Sequence, residues 1–378
     1  MRNKRTIIYY LCILFTLAFA FFTNDFNLIN VQKTAIVTAI ALDKEEGMFS
    51  LTAIVANPAS QGDGQSGQGG QKQGADGFAT IGGKGSTVAE ALEDVNAKTG
   101  WYPKLIFCRL LILGESLCSE NVFDGLDFFL RNEYAADDCL LAAADGKAGE
   151  LLNATPPLKA AVSEAIEKVL SDQSQRVGAV LTNTLRPFAV SYFSAGNSGY
   201  LPLLKKTKEE NGDVFSASET ALFIGGKRIG TLDKEETFAL ACVKNPLRLA
   251  AYTVESDGES NTLLFKNNRR KQRFSLNGNR PSIEVELTVY ADLSDRSSSQ
   301  SLDVLSGRDL HSAVYVAAAD ALKKQIERTF EHCQAMEFDA FDAIGKLQKY
   351  ENEHYERLKD SLIENLQLTV SVRFAPIR

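Results

Sequence analysis

Residues Leu105–Leu113 read LIFCRLLIL, nine positions that are apolar except for Arg109. A half-solvated strand would alternate, so a continuous apolar run of this length suits a strand buried on both faces. The segments around it supply the layers that such a strand needs. Ala35–Asp43 (AIVTAIALD) and Phe49–Asn57 (FSLTAIVAN) are β-rich and flank the polar turn Lys44–Gly47, which makes a hairpin that Pro58 ends. Thr87 with Glu90 forms a capping box, and Val88, Leu92 and Val95 follow at helical spacing, so a helix runs to about Thr99. Asn121–Arg131, Lys147–Leu152 and Leu158–Ser171 read as helices and Cys139–Ala144 as a second buried strand. Strands alternating with helices make this half α/β or α+β.

Two stretches interrupt the pattern. Ala59–Gly85 holds ten glycines and five glutamines with almost no apolar side chain, a composition that predicts a flexible loop. Gly196–Gly212, with Pro202 and the charged run Lys205–Glu210, reads as a linker. Beyond it, Thr220–Ile224 and Lys227–Gly230 make a hairpin around Gly225-Gly226, and Asp233 N-caps a helix to Val243. Strands are expected at Leu249–Glu255, Thr262–Lys266, Arg273–Leu276 and Ile283–Ala291, the last alternating through Ile283, Val285, Leu287 and Val289. Ser299–Ser306 is a loop, and His311 begins a helical stretch reaching about Asn365. Leu366–Phe374 closes the chain as a strand whose natural partner is Ile283–Ala291. The expected fold is α+β (mixed α/β) and multi-domain, with mixed sheets flanked by helices after one N-terminal apolar helix. Its parts are a leader (1–23), an N-terminal α/β domain (24–195) carrying the loop 59–85, the linker 196–212, a middle β-rich domain (213–280) and a C-terminal α+β domain (281–378).

The leader has its own logic. Arg2, Lys4 and Arg5 precede Thr6–Phe22, a span without charge, which is the layout of a secretory signal or signal anchor. The basic end stays in the cytoplasm and the body is exported. Ala18-Phe19-Ala20 offers a cleavage site that would release a soluble body. Phenylalanines at 19, 21 and 22 crowd that site, which favours a retained transmembrane helix near the lower length limit of roughly 17 residues.

Composition excludes several functions. The formal charge of −7 argues against a nucleic-acid binder. Cysteines stand at 12, 108, 118, 139, 242 and 333 with no C-x-x-C spacing, so neither a disulfide framework nor a metal site is expected. Gly82-Gly83-Lys84-Gly85-Ser86-Thr87 resembles half of a phosphate loop, but Phe78 stands where the first glycine belongs and Gly85 where Ser or Thr belongs. Ser198 lacks the flanking glycines of a nucleophile elbow, and His311, His332 and His354 have no paired carboxylate or thiol motif. No catalytic residue and no cofactor is expected. One cluster stands out: Lys266, Arg269, Arg270, Lys271 and Arg273 place five cations within eight residues, at what reads as a hairpin tip. Such a tip could touch anionic headgroups or be a plain solvated turn.

Six stretches in order resemble one family, the C subunit of spore nutrient-germinant receptors. They are KTAIVTAIALDKEEGMFSLTAIVANP, KLIFCRLLILGESLCSENVFDGLDFFLRN followed by CLLAAADGKAGELL, PFAVSYFSAGNSGYLPLL, SETALFIGGKRIGTLDKEET and FDAFDAIGKL. The resemblance covers nearly the whole body. It implies a non-enzymatic, membrane-associated subunit that works with a transmembrane A subunit and a transporter-like B subunit, on the outer face of the spore inner membrane. Family members carry an acylated lipobox cysteine near the position of Asp25. Here Phe22-Thr23-Asn24-Asp25 occupies that place and Cys12 lies in mid-span, so a retained helix would supply the tether instead. The alternative to this reading is a surface-anchored solute- or envelope-binding protein.

Overall fold

The computed structural model describes residues 9–16, 34–56, 77–100, 102–132, 134–156, 161–256, 258–297 and 311–376. Residues 9–16 are helical. No helix among the described residues is long and apolar enough to cross a membrane. The rest of the leader, the lipobox position, most of the Gly/Gln-rich stretch and the loop 299–306 lie outside the described residues.

The first half begins with the expected hairpin, β1 (Thr34–Glu45) and β2 (Met48–Ala56), joined at Glu46-Gly47 with both residues at positive φ. β3 (Phe78–Gly85) follows, then α1 (Val88–Thr99), β4 (Tyr102–Lys104), β5 (Leu110–Leu113), α2 (Glu115–Ser119) and α3 (Phe123–Arg131). Next come β6 (Leu140–Ala144), α4 (Ala148–Leu152), α5 (Val162–Val169), α6 (Asp172–Arg176), β7 (Asn183–Thr184), α7 (Leu185–Phe193), β8 (Ser198–Glu209), β9 (Gly212–Ile224) and β10 (Lys227–Leu232). These strands form one ten-stranded sheet in the order β10-β9-β8-β6-β5-β1-β2-β3, with β4 beside β1 and β7 beside β6. Its centre, β8-β6-β5-β1, is parallel, and an antiparallel pair closes each side. β5 buries both faces as its sequence requires. Leu111 and Leu113 join one apolar cluster under α1, α2 and α3, and Leu110 and Ile112 join another under α4 and α5.

The apolar run is not one strand, however. Leu105–Phe107 forms a 3-10 turn between β4 and β5, burying Leu105 and Cys108 while Ile106, Phe107 and Arg109 come to the surface. A strand covered on both faces has no place for a guanidinium, and the turn carries Arg109 out while its N–H still reaches the Thr38 carbonyl at 3.0 Å.

Part of the predicted loop 59–85 and most of the predicted linker 196–212 are strands. The glycine-rich end of 59–85 pairs with β2 as β3, from Ala56↔Phe78 to Phe49↔Gly85. Glycine is what lets it, because a Cβ at Gly83 or Gly85 would overlap the backbone of Ala91 in α1. Within 196–212, Ser198–Glu209 is β8, with Leu203 and Leu204 in register with Ala143 and Ala144. Only its charged end, Lys206–Glu209, projects into solvent beside β9, and that run produced the linker reading.

The remainder consists of α8 (Lys234–Lys244), β11 (Ala251–Ser256), β12 (Glu259–Asn277), β13 (Arg280–Arg296), α9 (His311–Ala335), α10 (Ala343–Tyr350), α11 (Asn352–Leu358), α12 (Leu362–Asn365) and β14 (Gln367–Ala375). The predicted middle segment 213–280 is therefore divided: β9 and β10 finish the first sheet, and β11 and β12 start a second, ordered β11-β12-β13-β14. β14 pairs with β13 as expected, in parallel, from Ser282↔Gln367 to Tyr290↔Ala375. Ile283, Val285, Leu287, Val289 and Ala291 turn one face of this sheet into the core against α8 and α9.

Gly83→Val tests the β3 assignment, since a loop glycine would tolerate valine. The collision with α1 should cost about 1–3 kcal/mol in denaturant unfolding. Gly82→Val, whose Cβ would lie 3.8 Å from the Leu51 carbonyl, should be nearly neutral.

Candidate functional site

The five-cation cluster lies within β12, several residues before the hairpin turn at Gly278-Asn279. Alternation splits it between two faces. On the outer face, Lys271 lies 3.5 Å from Glu286, Arg273 lies 3.6 Å from Glu284 and 3.7 Å from Glu286, and Arg269 covers the Tyr290 ring at 5.6 Å. Lys266 lies 3.9 Å from Asp292. β13 thus supplies a carboxylate to three of the five cations. Exposed cross-strand pairs of this kind contribute roughly 0.2–1 kcal/mol each and fix register more than they stabilise.

Arg270 lies on the opposite face, exposed yet near enough to Tyr200 of β8 to feel its charge, and desolvation lowers its pKa. Asn268, in the same stretch, is buried and fully used. Its Nδ2 donates to the carbonyls of Cys242 (2.9 Å) and Asn245 (3.1 Å), and its Oδ1 accepts from the Leu247 N–H (2.6 Å), which terminates α8. The basic stretch therefore anchors the end of α8.

Beside this junction lies a polar cluster that sequence reasoning missed. Lys244, the last residue of α8, stacks over the Tyr200 ring at 5.1 Å. Its neighbours are Asp339, Lys346 and Asp342. Desolvation is the largest influence on the ammonium and brings its pKa down to about 8, against the attraction of Asp339. Lys346 is lowered and Asp342 raised, in each case chiefly by burial. Asp339 is itself buried, and its carboxylate accepts the N–H groups of Ala343 (2.7 Å) and Ile344 (2.8 Å), capping α10. A Cβ at Gly196 would lie 3.1 Å from the same carboxylate, so the β8 approach and the 338–347 segment meet here.

Similar close junctions unite the other segments singled out in the sequence. Asp43, at the end of β1, is buried and accepts the Ala148 and Gly149 N–H groups at 2.8 and 2.9 Å. Burial pushes its carboxyl pKa up while those two hydrogen bonds hold it down, with a net rise. A side chain at Gly114 would overlap Asp43, one at Gly226 would overlap Asn121, and one at Gly230 would overlap Met336. Strand ends and helix starts from distant parts of the chain are thereby locked together.

The reactive side chains dismissed on sequence grounds are dispersed. His332 Nδ1 pairs with Glu236 Oε1 at 2.6 Å, His354 Nδ1 lies 3.1 Å from Arg357 Nη2, and Ser198 Oγ donates to the Gly196 carbonyl at 2.8 Å. Among the described residues no three His, Cys, Asp or Glu side chains form a metal-binding group. A groove of about 470 Å3 runs between α1 and α3, lined by Phe49, Val88, Phe128, Asp124, Asp127 and Arg131. Its charges are already engaged, Asp124 by Lys44 at 2.8 Å and Asp127 by Arg131 at 2.7 Å.

Lys244 gives a pH signature. An unfolded lysine keeps its proton to about 10.5, whereas folded Lys244 releases it at about 8. Between these values the unfolded state binds more protons, so raising the pH favours folding. The stability of the wild type relative to Lys244→Met should therefore rise by roughly 1–3 kcal/mol across this window. A flat difference in urea unfolding measured pH by pH would mean the ammonium is solvated.

Comparison with known proteins bears on the whole chain. Residues 28–206 match the family described as the spore germination protein N-terminal domain, and residues 218–375 match the spore germination B3/GerAC-like C-terminal domain. YfkR of Bacillus subtilis (strain 168), a spore germination protein by name, is 21% identical over 348 residues, which cover 89% of this chain and 86% of that protein. The crystal structure of the GerBC protein shares the fold at a TM-score of 0.56 and 16% identity, over 90% of this chain and 97% of that one.

Proposed function

This chain belongs to the GerAC-like spore germination family, and from that premise we propose that it is the C-type subunit of a nutrient-germinant receptor. In this reading it is a non-enzymatic protein held at the outer face of the spore inner membrane by its apolar leader, together with A and B membrane subunits. The observation that carries it is the match of both family domains in order along nearly the whole chain. The geometry supports a contact role, because three buried polar side chains, Asp43, Asn268 and Asp339, are consumed in joining elements. The groove between α1 and α3 favours the alternative, a surface-anchored solute-binding protein.

A tagged copy purified from dormant-spore membranes separates the two readings. A receptor subunit should co-elute with a multi-span permease-like protein and a larger membrane subunit. Recovery alone, or with a transporter ATPase, would favour solute binding. The combined variant His311→Ala, His332→Ala, His354→Ala and Ser198→Ala should keep nutrient-triggered germination. The exposed His332–Glu236 pair accounts for only about 0–1 kcal/mol. If that variant is folded and in the membrane yet inactive, a chemical role must be sought.

A further inference from the structure

We propose that the turn Lys104–Arg109 is the part of the body that rests on the membrane, inserting Ile106 and Phe107 into an anionic phospholipid surface. The inference rests on the membrane-tethered reading above. Ile106 is 55% and Phe107 52% exposed, neighbours on a 3-10 turn that leaves the first sheet between β4 and β5. Lys104 and Arg109 bracket them. Among the described residues neither cation has a salt-bridge partner, although Glu167 of α5 lies near enough to Arg109 to feel its charge. Two exposed apolar side chains between two cations suit the headgroup boundary of an anionic bilayer, where aromatic rings and basic side chains both gain.

Position selects the same occupant. β4 pairs directly with the start of β1, Thr34↔Tyr102 to Ile36↔Lys104, and β5 resumes at Ala39, so the turn flanks the first residues of β1, toward the end of the sheet where the chain enters it. Eleven residues, 23–33, separate the apolar span from β1. Fully extended they reach at most about 40 Å, so this end of the body cannot stray far from the bilayer if the span is inserted. The opposite end of β1 and β2, marked by Met48, faces away along the strands. The five-cation stretch of β12, the sequence's own candidate, is in large part neutralised by Glu284, Glu286 and Asp292.

The full-length wild-type chain, reconstituted into vesicles of phosphatidylglycerol and phosphatidylethanolamine carrying a photoactivatable phospholipid, tests the orientation. After flotation and irradiation, the tryptic peptide 105–109 should carry several-fold more lipid label than the peptides holding Met48 or residues 266–273. Ile106→Ser with Phe107→Ser should lose that label while the protein still floats. If the protein floats and 105–109 is labelled no more than the others, the proposed face is wrong and the tether survives. If it does not float, the membrane reading and this proposal fail together.

Discussion

From Thr237 on, helix α8 has almost no side toward water: Thr237 and the whole run from Ala239 to Val243 are buried. A helix apolar nearly all round must be enclosed, and here the two sheets enclose it. Leu222 and Leu232 from the first sheet and Phe265, Val285 and Leu287 from the second lie in one cluster around it, with α9 behind. Both ends of α8 are fixed by side chains. Asp233 and Glu236 close a reciprocal capping box at its start, and Asn268 closes its end from β12. The buried hydroxyls of Thr220 and Thr237, 3.0 Å apart, tie it to β9. Separating the sheets would expose this helix on two sides and strand Asn268, each a cost of kcal/mol scale.

Much of this was legible in the sequence. The first hairpin, the capped helix after Thr87, the buried strand at 140–144 and the pairing of the closing strand 367–375 with 280–296 were all readable there. The failures share a cause. β3, β8 and the middle of β12 look like loops because composition reports a segment's own side chains, whereas each of these strands is justified by a neighbour. Helix α1 needs the glycines of β3, β6 and β9 flank the proline and lysines of β8, and the carboxylates of β13 neutralise the cations of β12.

The same distinction governs the site. Five clustered cations were visible, but their acidic partners stand at 284, 286 and 292, and only strand register reveals the pairing. The Lys244 cluster draws on residues from α8, β8 and the segment after α9, each unremarkable alone. What carried correctly from sequence was the ordered series of segments resembling the family. The structure gives those segments a physical meaning as the places where glycines and buried carboxylates permit close chain crossings.

The pairing of β2 with β3 has a further consequence. Ala56 and Phe78 are direct partners in the ladder, so the chain between them begins and ends at adjacent positions. Neighbouring antiparallel strands lie about 5 Å apart, so whatever sequence joins these two residues meets the same geometric requirement at any length. That makes the interval a natural port for engineering: a fluorescent or affinity module with closely spaced termini could be spliced in there, leaving both ends of the chain untouched.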